Sequence, residues 1–120
     1  FFSRAGMELD TAQEIDGLDL SPILFENEAL DREELFWHYP HYHGSAWTPG
    51  AAIRQGDWKL IEFYESNTVE LYNLSEDISE SNDLSLEFPD KAAELLSRLH
   101  ELQASMNAKP ATLNTEYLKP

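Results

Sequence analysis

Two short turns between runs of β-forming residues constrain this chain more than any other feature. They are Gln55-Gly56-Asp57 and Glu65-Ser66-Asn67. Turns of this length join neighbouring antiparallel strands, and glycine accepts the positive φ that hairpin turns demand. Aromatic and β-branched residues surround both turns, and Pro40 ends an earlier run of the same kind. The pattern predicts an antiparallel meander with strands at 35–39, 51–54, 58–64 and 69–74.

An amphipathic helix is predicted after the last strand. Pro89 suits a first helical position, and apolar residues then recur at helical spacing until about Asn107. We expect this helix to cover one face of the sheet. The residues with helical spacing are Ala92, Leu95, Leu96, Leu99, Leu102 and Met106.

The third strand predicts that the sheet has two apolar faces. Trp58, Leu60 and Tyr64 alternate with Ile61 and Phe63, so neither face is plainly polar. The helix can cover only one of them. Apart from residues 1–34, the chain offers no segment to cover the other face, so we expect that face to pack against a neighbouring domain outside the 120 residues. The fold class is therefore α+β: a small four-stranded antiparallel sheet (a meander) with one C-terminal amphipathic helix packed on it.

Length and composition exclude several classes of protein. The 120 residues suit one domain, and a 42% hydrophobic content is too high for a disordered chain. A net charge of −15 with only eight scattered Lys and Arg residues argues against nucleic-acid binding. No run approaches the roughly 18 apolar residues of a membrane span, and the first residues do not form a signal peptide. Without cysteine, the chain has no disulfide, Cys-based zinc site or thiol nucleophile.

The first residues indicate that the chain begins inside an element. Residues 1–6 lack an initiator Met and are typical of the last turn of a helix that closes on Gly6. We predict three parts: a connecting segment at 1–34, a sheet-and-helix unit at 35–107, and an extended tail at 108–120.

The order of these segments carries a resemblance over nearly the whole chain. The segments are 15–24 (IDGLDLSPIL), 35–40 (LFWHYP), 52–61 (AIRQGDWKLI), 70–74 (ELYNL), Glu76-Asp77 and Asn82-Asp83-Leu84. In this order and spacing the chain resembles the C-terminal subdomain of type I sulfatases, which belong to the alkaline phosphatase superfamily. The family's Asp-Pro-Gly-Glu turn is here Asp77-Ile78-Ser79-Glu80.

The resemblance implies that the chain is a fragment of a larger α/β enzyme. Residues 1–34 would then connect it to a missing catalytic domain, and residues 35–107 would be the C-terminal subdomain that docks against that larger α/β domain. In such sulfatases that domain holds calcium and a formylglycine made from Cys or Ser in a Cys/Ser-x-Pro-x-Arg motif. This chain has no such motif, so we expect no catalytic residue, cofactor or metal site in it. The residues two before its prolines are Leu20, His38, Trp47, Glu87, Ala108 and Leu118.

The most unusual cluster is His38, His41 and His43, interleaved with Tyr39 and Tyr42. The three imidazoles could bind a transition metal, although a structural zinc site usually has four ligands. They could instead donate hydrogen bonds to sulfate or sugar hydroxyls at the mouth of an active site, or simply pack one domain against another. We predict substrate binding, with His41 and His43 favoured because His38 lies within a strand.

Two basic residues flank the first hairpin turn. Arg54 and Lys59 could meet a sulfated substrate, but basic residues near turns are usually solvated or paired with acids, here Asp57 and Glu62. Arg54 completes the predicted substrate-binding set. Trp58, Phe63 and Tyr72 are interpreted as core residues because of their strand spacing.

Three functions follow from these observations. The first is a non-catalytic sulfatase subdomain that walls the substrate pocket, with the missing catalytic domain and a sulfated small molecule or glycan as partners. The second is an autonomous carbohydrate- or protein-binding module, and the third is a phosphate or phosphonate ester hydrolase fragment of the same superfamily. The resemblance also leads us to expect a periplasmic or secreted protein.

Overall fold

The computed structural model describes residues 5, 6, 17, 18, 20–26, 32–44, 46–112, 114 and 116. The chain divides into two units, Phe1–Arg32 and Glu33–Pro120. Within the first, Pro22–Glu26 forms a single π-helical turn where the sequence predicted an irregular connection. The helix end predicted at residues 1–4 lies outside the described residues, and Gly6 has a φ of 66°. Among the residues described, no helix is long and apolar enough to cross a membrane.

The second unit is built on the predicted antiparallel meander. Each strand pairs with the next along the chain, so the sheet order is β1-β2-β3-β4. The hairpin turns contain Gly56 and Asn67, whose φ angles of 58° and 53° are the positive values that such turns require. The strands are β1 (Glu34–Tyr39), β2 (Gly50–Gln55), β3 (Trp58–Phe63) and β4 (Thr68–Asn73).

The predicted helix is confirmed as α1, Pro89–Ser105. Proline occupies its start, where a missing N–H costs nothing because that group has no partner within the helix. At the other end Asn107 has a φ of 55°. The Asn107 N–H donates to the Ala104 carbonyl at 3.2 Å and the Ala108 N–H to the Gln103 carbonyl at 2.9 Å. These two bonds form a Schellman motif, which ends the helix and sets the direction of the chain after it.

The main core lies between α1 and one face of the sheet. Its fully buried side chains are Ile53, Leu60 and Leu71 from three strands and Leu95 and Leu99 from the helix. Burial of a leucine or isoleucine of this kind contributes roughly 1.5–3 kcal/mol relative to an exposed position. The helix contacts all four strands. The sheet and helix therefore share one core, as predicted.

The opposite face of the sheet carries a second, smaller apolar cluster. Ala52, Ile61 and Tyr72 are buried there, and Phe63 packs against them. Trp37 on the same face remains 48% exposed. The core assignment of Tyr72 is confirmed, whereas Phe63 and Trp58 are half-buried at the margins of the two clusters. The two-faced sheet expected from β3 is thus present.

The Asp83 carboxylate satisfies the outer edge of β4. It accepts the Leu71 N–H at 2.9 Å, and the Leu84 N–H donates to the Leu71 carbonyl at 2.8 Å. The Ser85 N–H and hydroxyl also donate to Asp83. Burial pushes the pKa of Asp83 upward, but these hydrogen bonds outweigh it, and the pKa lies below the ordinary 3.8. The segment after β4 thereby covers backbone groups that an open edge would expose.

The Asp83→Asn variant should be less stable than the natural protein at neutral pH, by about 0.5–1.5 kcal/mol, because neutral acceptors bind N–H groups more weakly. Since the folded pKa of Asp83 is lowered, its contribution is complete above pH 3.8 and is lost as the pH falls through the folded pKa. The difference between the two proteins should therefore fade in acid. Urea unfolding at several pH values measures it, with exposed Glu87→Gln as the control. Equal stability at pH 7 would contradict the role given to Asp83.

Gly50 is required by a close approach between β2 and β3. A Cβ at this position would lie 2.5 Å from the Glu62 carbonyl oxygen and 3.3 Å from the Trp47 ring. The backbone contact cannot relax by a side-chain rotation, so we expect Gly50→Ala to lower the free energy of unfolding by about 1–3 kcal/mol. Gly44→Ala is the matched control, because a Cβ there meets nothing within 4 Å. Similar thermal unfolding of both variants would refute the steric explanation.

Candidate functional site

The loop between β1 and β2 forms a braced structure at one end of the sheet. The His43 N–H donates to the Trp47 carbonyl at 3.2 Å, and the Trp47 indole N–H donates to the Tyr39 carbonyl at 3.3 Å. The Tyr42 hydroxyl donates to Glu65 in the β3–β4 turn at 2.9 Å. These bonds hold the loop back on the sheet from which it emerges.

Tyr39 brings two of the predicted histidines together. Its ring lies 5.6 Å from the His41 ring and 6.3 Å from the His43 ring, edge-to-face in both cases. Both imidazoles are exposed to solvent. His41 and His43 therefore share one patch, at the end of β1, and each can offer an N–H donor to a ligand.

An open concavity of about 460 Å³ extends from His43 across the face of the sheet opposite α1. Aromatic rings dominate its lining, and one lysine lies at its margin. Such a surface combines apolar area with a few polar groups, as ligand and docking sites do. The lining residues are Trp37, Tyr39, His43, Trp47, Ala52, Lys59 and Ile61.

The charge of Lys59 is balanced by Glu80. The ammonium and carboxylate lie 2.6 Å apart. The sequence predicted a basic residue that is solvated or paired with an acid, with Asp57 and Glu62 as examples. The acid is Glu80, because the loop after β4 folds back and brings it to Lys59. Asp77 shapes that loop: its carboxylate accepts the Asn82 and Ser81 N–H groups at 2.9 and 2.7 Å. The Asn82 N–H is the main cause of the lowered pKa of Asp77, with Ser79 and Ser81 adding to it.

His38 lies on the other face of the sheet. Its ring stacks at 6.4 Å on that of Phe36, which packs against the core under α1. The Tyr64 hydroxyl lies 2.8 Å from Nδ1, and the Lys109 carbonyl oxygen lies 2.8 Å from Nε2. Since successive strand residues point to opposite faces, His38 and Tyr39 are on opposite sides. The three histidines therefore do not converge.

Arg54 is also separated from His41 and His43. It lies near the far end of β2, opposite Leu35 in β1 and Lys59 in β3. Its Nε donates to the Gly56 carbonyl in the first hairpin turn at 3.0 Å, and the side chain is exposed. Of the four predicted substrate-binding residues, the structure brings only His41 and His43 together. Within the described part of the chain, no three His, Cys, Asp or Glu side chains are grouped as metal ligands.

Sequence reasoning did not assign Trp37 and Tyr39 to this surface. The sequence did contain a signal for this, because residues two apart in a strand share a face. Trp37 and Tyr39 therefore lie on one face of the sheet, and Phe36 and His38 lie on the other. Lys59 was considered only as a basic residue near a turn. Its place beside the aromatic rings depends on the pairing of β2 with β3 and on the fold of the Glu80 loop.

Comparisons with known proteins agree with this architecture. The family model described as N-sulphoglucosamine sulphohydrolase, C-terminal, matches residues 1–109. A sulfatase of Formosa agariphila is 38% identical over an alignment of 96 positions, and the match covers 72% of this chain and 17% of that relative.

Two solved structures show the same fold. BT4656, determined in complex with its substrate D-glucosamine-2-N,6-O-disulfate, is 30% identical with a TM-score of 0.69, over 91% of this chain and 23% of its own. BT1596, a 2-O GAG sulfatase, is 21% identical with a TM-score of 0.72, over 98% of this chain and 25% of its own. The chain thus spans a quarter or less of the length of these relatives.

The match to the family covers both the first unit and the sheet-and-helix unit, and the fold is that of the corresponding region in larger sulfatases. On these grounds, the chain belongs to the family of N-sulphoglucosamine sulphohydrolase C-terminal regions and is a C-terminal fragment of a sulfatase.

Proposed function

We propose that this chain is the non-catalytic C-terminal part of a sulfatase acting on sulfated glycans, where it walls the substrate pocket and stabilises the catalytic domain. The observation that carries the proposal is the exposed patch of Tyr39, His41 and His43 at the rim of an aromatic concavity. The substrate of BT4656, D-glucosamine-2-N,6-O-disulfate, supports the class of substrate.

The chemistry of sulfate ester cleavage assigns the catalytic centre to the remainder of the protein. Cleavage requires an activated nucleophile, a cation that offsets the sulfate charge, and a proton donor for the leaving alcohol. The chain contains no Cys/Ser-x-Pro-x-Arg sequence that could supply formylglycine. We therefore assign formylglycine, and with it the calcium expected from the resemblance, to the catalytic domain.

The proposed contribution of His41 and His43 is recognition. Imidazole N–H groups can donate to sulfate oxygens or sugar hydroxyls, and the neighbouring Tyr39 ring can pack on the apolar face of a sugar. His38 and Arg54, which the sequence also predicted, lie away from this patch. We therefore restrict the proposed substrate contacts to His41 and His43.

The sheet face opposite α1 is the proposed docking surface for the catalytic domain. Its buried cluster of Ala52, Ile61 and Tyr72 continues into Trp37, whose large exposed ring would lose contact with water in an interface. We retain residues 1–34 as the connecting segment, 35–107 as the subdomain and 108–120 as an extended tail. A periplasmic or secreted location remains part of the proposal.

The purified 120-residue chain should show no hydrolysis of an aryl sulfate, because it has no Cys/Ser-x-Pro-x-Arg motif to supply the nucleophile that the reaction requires. The measurement compares it with the full-length protein under the same conditions and with calcium added to both. Turnover by the isolated chain above the rate in buffer alone would contradict the assignment of the catalytic centre to the catalytic domain.

In the full-length protein, His41→Ala and His43→Ala should each lower kcat/KM for a sulfated glucosamine saccharide by roughly 10- to 100-fold. This is the expected loss of one hydrogen bond to a charged group, about 1.5–3 kcal/mol. His100→Gln is the matched control, since His100 lies on α1 and pairs with Glu62 at 2.9 Å. Unchanged kcat/KM in both His41→Ala and His43→Ala would refute the proposed recognition role.

A further inference from the structure

Both ring nitrogens of His38 have partners within the fold. The Lys109 carbonyl oxygen, 2.8 Å from Nε2, can only accept a hydrogen bond. Nε2 must therefore carry a proton. In the neutral imidazole Nδ1 is then an acceptor, and the Tyr64 hydroxyl at 2.8 Å is the group that can donate to it. No ring nitrogen of His38 is left for a substrate.

Tyr64 is held as a donor by its surroundings. The Gln103 side-chain N–H donates to the Tyr64 oxygen at 2.8 Å, which leaves the hydroxyl proton for His38. Burial raises the pKa of Tyr64 to about 12, the negative charge of Glu62 adds to this, and the Gln103 hydrogen bond opposes it. With a neutral imidazole the hydrogen bonds therefore run in one direction, from Gln103 through Tyr64 and His38 to Lys109.

This chain of hydrogen bonds joins four separate parts of the fold. His38 belongs to β1, Tyr64 directly follows β3, Gln103 lies in the last turn and a half of α1, and Lys109 lies in the tail. The Schellman motif at Asn107 turns the tail back so that the Lys109 carbonyl reaches His38. His38, Tyr64 and Gln103 also line an open concavity of about 230 Å³.

The position of His38 is coupled to the candidate site through Tyr39. The two residues are consecutive in β1, and they pair with Ala51 and Gly50 in β2. The Tyr39 carbonyl accepts the Trp47 indole N–H, and the Tyr39 ring contacts both His41 and His43. Movement of β1 at His38 would therefore displace the aromatic ring against which the two exposed imidazoles rest.

We infer that His38 is a positioning residue, which fixes Tyr39 and the His41–His43 patch from the opposite face of the sheet and binds no substrate itself. This inference rests on the proposed function for its effect on the reaction. Its effect on the loop rests on the contacts of His38 alone. The tail belongs to the same hydrogen-bond network, because the Lys109 carbonyl is the acceptor that orients the imidazole.

The first test is hydrogen–deuterium exchange of the full-length protein without substrate, followed in peptides that cover residues 41–48. Loss of one or two of these hydrogen bonds should raise exchange of this loop roughly 5- to 10-fold in His38→Ala and in Tyr64→Phe. Tyr64→Phe removes only an oxygen and decides the matter if His38→Ala fails to fold. His38→Gln keeps a donor for Lys109 and should restore part of the protection, while His100→Gln should resemble the natural protein. If residues 41–48 exchange at the same rate in Tyr64→Phe as in the natural protein, the inference is overturned.

The second test separates positioning from direct binding. A positioning role predicts that Tyr64→Phe reproduces much of the rise in KM caused by His38→Ala, with kcat within about threefold. The double variant should be little worse than His38→Ala, because both changes break one network. A large rise in KM for His38→Ala with no change for Tyr64→Phe would make His38 a substrate ligand and overturn the inference. If His41→Ala and His43→Ala leave activity unchanged, the proposed function fails, and the exchange test still decides the role of His38.

Discussion

The packing of α1 on the sheet is the interaction on which the rest of this structure depends. Leu95 and Leu99 are fully buried against Ile53, Leu60 and Leu71, and the helix contacts every strand. A four-stranded antiparallel sheet without such a cover would leave one apolar face in water. The helix is the next regular element after β4, from which residues 74–88 separate it, so this core is assembled almost entirely from local hairpins and one returning segment.

Ion pairs add further links between the elements that the apolar core packs together. Arg98 on α1 binds Glu34 at the start of β1 through two hydrogen bonds of 3.0 and 2.6 Å, and this arginine is the main cause of the lowered pKa of Glu34. Lys59 and Glu80 join the sheet to the loop after β4. In a chain with a net charge of −15, such pairs place scarce cations beside carboxylates at points where segments distant in sequence meet.

The sheet also separates two kinds of histidine. On the face opposite α1, Tyr39 gathers the exposed rings of His41 and His43 beside an aromatic concavity. On the helix face, His38 is engaged by Tyr64 and Lys109. Three imidazoles that look equivalent in the sequence are thereby placed differently: the rings of two are exposed on one face, and the third has both ring nitrogens hydrogen-bonded on the other. The alternation of side chains along β1 is the physical reason.

The sequence by itself determined the meander, the proline-led helix, the two apolar faces and the resemblance to sulfatases. These depend on local signals: strand-forming runs, short turns at Gly56 and Asn67, and helical spacing from Ala92 to Met106. Tertiary structure alone decided which residues meet. Strand pairing separates Arg54 from His43, the loop after β4 brings Glu80 to Lys59, and the helix end directs Lys109 to His38. Contacts of this kind join residues 21 to 71 positions apart, and their geometry follows from packing and chain direction, which no local pattern encodes.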